Sequence, residues 1–418
     1  MTDKKIKVLT LSDHPLLPSG VGSQTRYIIQ ALLDSGKFEV LSLGGAVKHN
    51  DYNPIRTEEY GTDWTIIPVD GYGTPEQIRS ILHQEKPDIL YFMTDPRFYQ
   101  WLWEMEDEIR ALIPMVYYHV WDNKPYPTFN KKWYDSTDKV VTISKVTSEI
   151  VQNVSPTVEE EYLPHAVDQE IFKRLPEETI QALKERNPAT KGKFVAAWVN
   201  RNARRKQSGT LLFWWKEFCD RVGHDKACLV MHTDLRDPHG QPLDVLAGHL
   251  GLDKGQVMFS TQKVPPESLA AIYNMADVVV NISDAEGFGL GTLEALSCET
   301  PIIVNMTGGL QEQVTDGEDW FGIGIEPASK AIIGSPQVPW IYEDRMNKDD
   351  FVDAMEKIYN LSPDDRRELG KKGVAHVSNK YNFENFKNRW VELMLEVHEK
   401  YGSWDTRKGY DRWEVIDL

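Results

Sequence analysis

The chain has 418 residues, 41% hydrophobic and 27% charged, with a formal net charge of −17. This is too apolar for a disordered chain and long enough for two or three domains, each with its own core. Three cysteines (Cys219, Cys228, Cys298) and no Cys-x-x-Cys pair exclude a disulfide framework and suggest neither a zinc nor a redox centre. A reducing, cytoplasmic compartment is the expectation. The polar residues 1–7 lack the apolar run of a signal peptide, and no run reaches the roughly 18 residues of a membrane span. The negative charge argues against nucleic-acid binding over the whole surface and leaves a local basic patch open.

Residues 6–11 (IKVLTL) predict a buried strand, followed by a Pro-, Ser- and Gly-rich loop over 13–22 and a helix over 24–33, where Tyr27, Ile28, Ala31 and Leu32 recur at helical spacing. Strands follow over 38–43, 64–69, 89–93, 115–120 and 139–143, with a helix over 75–84. Over 164–193 prolines 164, 176 and 188 and clustered charges mark a hinge. A second series then sets strands over 194–199, 227–232, 257–260, 278–282 and 301–304. Helices fit over 209–220, 243–250, 267–274, 291–298, 348–361, 363–379 and 383–401. Strands alternating with helices imply parallel βαβ units. The expected class is therefore α/β, with two doubly wound, Rossmann-like domains and a cleft between them. The expected boundaries are 1–168, 169–380 and a C-terminal helix and tail over 381–418 that crosses back onto the first domain. Residues 402–418 give no reading of their own.

In open α/β sheets ligands bind beyond the carboxyl ends of the strands. After the strand over 278–282 comes D-A-E-G-F-G-L-G-T-L-E-A-L-S-C-E (residues 284–299), which opens a helix. Gly287, Gly289 and Gly291 let backbone N–H groups approach a ligand, with Phe288 and Leu290 between them, and the helix start favours an anion. Glu286 and Glu294 are acceptors for hydroxyls. Backbone donors, a helix end and two separated carboxylates suit a sugar joined to a nucleotide. After the strand over 194–199 stands N-R-N-A-R-R-K, with Arg201 and Lys206 spaced as Arg-x4-Lys. Alone, this is equally a solvated basic turn. Ser19-Gly20-Val21-Gly22-Ser23 follows the first strand, and a lone G-x-G is equally a plain turn.

Glu286-x7-Glu294 with its glycines resembles the E-x7-E motif of retaining GT-B glycosyltransferases of the family 4 (group 1) type, and residues 264–304 are similar to that family almost throughout. The resemblance implies a GT-B fold and a nucleotide-sugar donor, UDP- or GDP-linked, with no further cofactor. It implies that Glu286 and the loop 287–290 hold the donor sugar, that Glu294 binds the ribose, and that Arg201 and Lys206 clamp the diphosphate. Fixed cations there stabilise the leaving diphosphate as the glycosidic bond breaks. No Asp-x-Asp pair occurs, so no metal site is expected. The resemblance also gives Gly20 and Gly22 a place by the diphosphate, although family members more often show adjacent glycines. It sets His119 near the sugar, with a core histidine as the competing reading, and lines the donor pocket with His232 and Val264. His165-Ala166 replaces the Asn-Gly that relatives often carry at the hinge. Retention implies a front-side route in which the leaving phosphate oxygen takes the acceptor proton and Glu286 binds the donor.

Acceptors in this architecture are set by the first domain, where Asp13, His14, Arg97, Trp121, Asp122 and Lys124 are the candidates. The stretch 122–134 (DNKPYPTFNKKWY) mixes lysines with aromatics, a pattern that tracks phosphates and stacks bases or sugars, or packs its own loop. These stretches resemble glycosyltransferases of tailed bacteriophages, which makes hydroxymethylated pyrimidine in DNA one expected acceptor and host cytoplasm one expected location. A saccharide, lipid-linked or small-molecule acceptor is the alternative. A non-catalytic nucleotide-sugar binder is the competing class, and the oligomeric state stays open.

Overall fold

Apolar runs buried on both faces make the strands, as a parallel sheet covered by helices requires. The structure, a computed structural model, describes residues 4–413. It divides into two units, one running to His165 with Gly334–Pro339 and the chain from Glu384 on, the other comprising Ala166–Ile333 and Trp340–Phe383.

The first unit is built on β1 (Ile6–Asp13), β2 (Phe38–Gly45), β3 (Ile55–Arg56), β4 (Trp64–Pro68), β5 (Ile89–Met93), β6 (Met115–His119), β7 (Lys139–Thr142) and β8 (Glu160–Tyr162). They form one sheet in the order β3-β4-β2-β1-β5-β6-β7-β8, parallel except for the β3–β4 edge pair. Val8 lies opposite Val40 on one side and Ile89 on the other, so β1 is central and its order reverses there. Phe92 stacks on Tyr117 at 4.8 Å in the core. The final helix, Phe383–Tyr401, packs its fully buried Trp390 against Tyr91 and Tyr118 (5.6 and 4.9 Å).

The segment after that helix is fastened to the same unit. Ser403 donates to Asp88 (2.7 Å), the Trp404 indole donates to the Pro87 carbonyl (2.9 Å), and Arg407 pairs with Asp138 (2.8 Å). Asp138 also takes Arg110 and the amide of Met115. The last five residues of the tail lie outside the described residues.

The second unit carries β9 (Phe194–Val199), β10 (Ala227–His232), β11 (Val257–Ser260), β12 (Val278–Asn281), β13 (Ile302–Asn305) and β14 (Gly322–Ile325). All are parallel, in the order β11-β10-β9-β12-β13-β14. Trp198, Trp215, Met231, Val280, Phe351 and Met355 belong to its core. A separate hairpin, β15 (Ser329–Ser335) and β16 (Val338–Arg345), follows the sheet.

Several elements differ from expectation. The first helix runs Gly20–Asp34, taking in part of the predicted loop, because Ser19 caps it by accepting from the amide of Gly22 (2.9 Å). The stretch read as a hinge contains a helix, Glu177–Arg186, whose only buried residue is Ile180, so it carries no apolar stripe. The hairpin had no sequence reading, and most of its residues are partly or fully exposed.

Candidate active site

In each sheet the strand order reverses at the first strand of the unit, and crevices for ligands open at the carboxyl ends there. In the second unit that point lies between β9 and β12. The turn after β9 and the loop after β12 meet at it, joined backbone to backbone where the Asp284 amide donates to the Arg205 carbonyl (2.8 Å).

The turn after β9 is braced from one side by the loop after β10. Asn202 is fully buried and donates to the Gln241 carbonyl (2.7 Å), and the Arg204 amide donates to the His239 carbonyl (3.0 Å). A Cβ on Gly240 would meet the Asn202 carbonyl oxygen at 2.1 Å, so this approach needs glycine. Arg201 stands at the outer edge, 61% exposed, its guanidinium held by both oxygens of Asp237 (2.6 and 3.1 Å). Lys206, at the other end, turns inward and pairs with Glu286. Both side chains are about nine-tenths buried.

Glu286 also accepts from the side-chain amide of Asn281 (3.3 Å) and the Ser283 hydroxyl (3.5 Å). Burial pushes its carboxyl up, but the Lys206 ammonium and the Arg205 guanidinium outweigh this and hold it below the usual carboxylate range. Beyond it the loop is fixed by its own carbonyls. Gly309 N donates to the Glu286 carbonyl (3.1 Å) and Gln313 to that of Phe288 (2.7 Å). Gly289 has φ +91°, and a Cβ there would meet Leu310 Cδ2 at 2.5 Å. Helix Leu290–Ser297 starts from this glycine.

One turn into that helix, Glu294 accepts from the Tyr273 hydroxyl (2.6 Å), and burial pushes its carboxyl up to about 7. Asp284 is likewise pushed up by burial, to about 6, while Gln207 and Arg345 engage it. His232, at the end of β10, shares a hydrogen bond with the Ser260 hydroxyl (2.9 Å), and burial lowers its pKa. The next residue, Thr233, has a buried hydroxyl with no hydrogen-bond partner among the described residues. Val264 is half-buried after β11. The structure thus brings Arg201, Lys206, Glu286, Gly287, Phe288, Gly289, Leu290 and Glu294 to one end of one sheet. Sequence reasoning missed Asp237, Asn281, Tyr273, Asp284 and the hairpin residues Glu343 and Arg345. Asp284 and Asn281 flank the glycine motif, which was the available signal. For the hairpin there was none.

In the first unit, Gly20 and Gly22 sit in the first turn of helix Gly20–Asp34, with Gly22 against the His14 carbonyl. Asp13 is tied by Ser19 (2.7 Å) and Tyr72 (2.8 Å). His14 is buried, accepts from the Leu16 amide (3.2 Å), and its pKa is lowered by burial and by His49. His119 has the surroundings of the core histidine that was the competing reading. It is fully buried, with Nδ1 3.1 Å from the Tyr117 hydroxyl and Nε2 2.7 Å from the Tyr134 hydroxyl. Burial lowers its pKa to about 3. Both ring nitrogens are engaged inside the unit, the arrangement of a core histidine.

The basic, aromatic stretch makes local contacts. Lys124 pairs with Glu149 (2.6 Å), Lys131 with Asp135 (2.6 Å), and Lys132 lies 4.0 Å over the Trp133 ring. Trp121 is buried, with Asp122 half-buried beside it. Arg97 is held by both oxygens of Asp95 (2.9 and 3.0 Å). Two of the three lysines of the stretch are thus paired with carboxylates within the unit.

Residues 179–375 match the family model described as "Glycosyl transferases group 1". The D-inositol 3-phosphate glycosyltransferase of Corynebacterium jeikeium is 35% identical over 141 residues, 33% of each chain. That of Corynebacterium aurimucosum is 32% identical over 185 residues, 44% of this chain and 38% of the relative. The matched part spans about a third of the length of these curated relatives. Among solved structures, a sucrose-phosphate synthase from Thermosynechococcus elongatus has a TM-score of 0.74 at 18% identity, covering 95% of this chain and 100% of that one. Anabaena Alr3699/HepE, solved in complex with UDP and glucose, has a TM-score of 0.69 at 15% identity, covering 94% and 100%.

Proposed function

With residues 179–375 matching the group 1 glycosyltransferase family model in a chain of GT-B fold, we propose that this protein is a retaining, metal-independent glycosyltransferase. It moves a sugar from a nucleoside-diphosphate donor to a hydroxyl of a small polar acceptor. The observation that carries the reading is the buried Lys206–Glu286 pair, set between the turn after β9 and the glycine loop after β12. The curated relatives' names, which specify an inositol phosphate as acceptor, favour a small polyol or sugar phosphate over a polymer.

In this reading the donor diphosphate lies against Arg201, Lys206 and the amides that open helix Leu290–Ser297. Glu286 accepts from the sugar hydroxyls. Glu294 and Tyr273 take the ribose, and the unpartnered Thr233 hydroxyl with His232 and Val264 completes the nucleotide side. The neighbour solved with UDP and glucose supports a uridine donor, with guanosine as the alternative. As the glycosidic C–O bond breaks, negative charge grows on the leaving phosphate oxygen, and pre-placed cations stabilise it without reorganising. That oxygen takes the acceptor proton as the new bond forms on the same face, so configuration is retained. The chain supplies positioning and charge. Acceptor choice is assigned to the first unit, through Asp13, His14, Arg97 and Asp122.

The test is a thermal-shift panel of UDP- and GDP-sugars followed by nucleotide release with and without acceptors, hydroxymethylated duplex DNA included. One donor should stabilise the protein and be consumed. Arg201→Ala and Glu286→Ala should each lower turnover by about a hundredfold or more with the fold intact by circular dichroism. Near-normal turnover in both variants defeats the assignment, and stabilisation without any nucleotide release marks a non-catalytic binder.

A further inference from the structure

The hairpin β15–β16 carries no part of either sequence motif, yet its last three residues reach into the loops of the donor site. Glu343 is 2% exposed and accepts from two guanidinium groups, both Nη atoms of Arg204 and Nη2 of Arg345 (2.6 Å). Arg345 pairs through Nη1 with Asp284 (2.9 Å). The Asp344 amide donates to the Asp284 carbonyl (2.8 Å), and its carboxylate accepts from Thr307 (2.7 Å). The Asp344 carbonyl accepts from Asn305 (2.8 Å), which also donates to the Ser283 carbonyl (2.9 Å). Three consecutive residues of one strand therefore fasten the turn after β9, the loop after β12 and the loop after β13.

A carboxylate is buried only with compensation, and two guanidiniums supply it here. The converse matters more for function. Arg204 is 59% exposed, a long side chain with many rotamers, and the shielded Glu343 carboxylate holds both of its Nη atoms in one geometry. Arg204 opens the one-turn 3-10 helix Arg204–Lys206 that ends on the lysine paired with Glu286. Fixing the first residue of so short an element fixes the last.

We propose that Glu343 is a positioning residue of the donor site: it orients Arg204 as a further cation for the donor diphosphate and, through the turn, sets the register of Lys206 on Glu286. This rests on the donor-binding reading above. The guanidinium stays fixed in place before the donor arrives, so little of its rotamer entropy is lost on binding.

The test is a double-mutant cycle on the donor KM with Glu343→Gln, Arg204→Gln and the pair together, in the full chain. Glu343→Gln keeps the volume and removes the charge. It should raise the donor KM about tenfold and lower kcat as well, because the cations it places also meet the charge that grows on the leaving phosphate. Arg204→Gln should do at least as much, and the double variant should be no worse than Arg204→Gln alone. Glu343→Asp should recover part of the loss. Additive losses in the double variant, or an unchanged KM in a folded Glu343→Gln protein, overturn the proposal. Should Glu343→Gln fail to fold, Arg204→Gln decides, and a donor KM within twofold of the parent overturns it. A parent protein that saturates with no nucleotide-sugar overturns the donor-binding reading itself, a result separable from the cycle.

Discussion

Replacing Lys206 by Met leaves the Glu286 carboxylate buried without its ammonium. The two side chains are 9% and 11% exposed, so water screens little of the loss. Removing one partner of such a pair costs about 3–5 kcal/mol. Asn281 and Ser283 still donate to Glu286 and Arg205 stays near, which puts the expectation at the low end, about 3 kcal/mol. For a unit of this size that corresponds to a fall in melting temperature of roughly 6–12 °C. The pH dependence follows with a definite sign. The folded-state pKa of Glu286 lies below its ordinary 4.5 in the parent, so the stability it contributes is present above about pH 4.5 and lost as pH falls through the folded value. In Lys206→Met the buried carboxyl titrates upward, and stability relative to the parent improves as pH is lowered toward 4. The assay is urea denaturation of the parent, Lys206→Met, Glu286→Gln and the double variant at several pH values. The double variant should recover at least half of the loss, because two neutral side chains leave no buried charge. A double variant as unstable as the sum of the singles, or a single variant without loss, refutes the reasoning.

Glu294, pushed up to about 7 by burial, must ionise to accept from two hydroxyls, so the donor KM should fall as pH rises from about 6 to 8. Glu294→Gln should flatten that dependence, and an unchanged profile would remove Glu294 from the donor site. Gly289→Ala places a Cβ 2.5 Å from Leu310 at a positive φ, and should cost about 1–3 kcal/mol in a thermal melt while weakening donor binding. Arg407→Met leaves Asp138, 1% exposed, with Arg110 as its remaining ion-pair partner among the described residues. It should destabilise the first unit by about 2–3 kcal/mol with the donor KM unchanged. His119→Phe removes one hydrogen-bond partner each from the hydroxyls of Tyr117, which keeps the Thr94 carbonyl, and Tyr134, which keeps Asn130, and should lower the melting temperature more than it lowers kcat/KM, the reverse of what a sugar-contacting ring would give.

The central strands of both sheets were legible because they are short apolar runs buried on both faces, such as Phe194–Val199 and Ile89–Met93, whereas the edge strands β3, β8 and β14 lack that pattern and had no reading. The glycine loop of the candidate site was legible because glycine, helix start and carboxylate occur in one continuous stretch. Helix Lys145–Val154 escaped the reading, although Ile150, Val151 and Val154 are its buried face, because it follows β7 after only two residues and its first turn is polar. For His119 the two readings could not be separated, because a strand-end position says nothing about which way a ring turns, and here two tyrosines from Met115–His119 and the helix Lys131–Asp135 enclose it. The lysines of 122–134 were visible as charge, but Glu149, the partner of Lys124, lies on a helix whose packing only the fold provides, while Asp135 pairs with Lys131 one turn along their own helix. Glu343 could not be found from sequence at all. It lies far from both motifs along the chain and becomes part of the site only because the hairpin folds back on the loops after β9 and β12.

The most direct measurement is a crystal structure of the full chain soaked with UDP-glucose or GDP-mannose. The account predicts pyrophosphate density within hydrogen-bond distance of Lys206 and the amides of residues 287–291, with a ribose hydroxyl on Glu294. Nucleotide density elsewhere on the chain, or an undisturbed Lys206–Glu286 pair with no density beside it at saturating ligand, would contradict it.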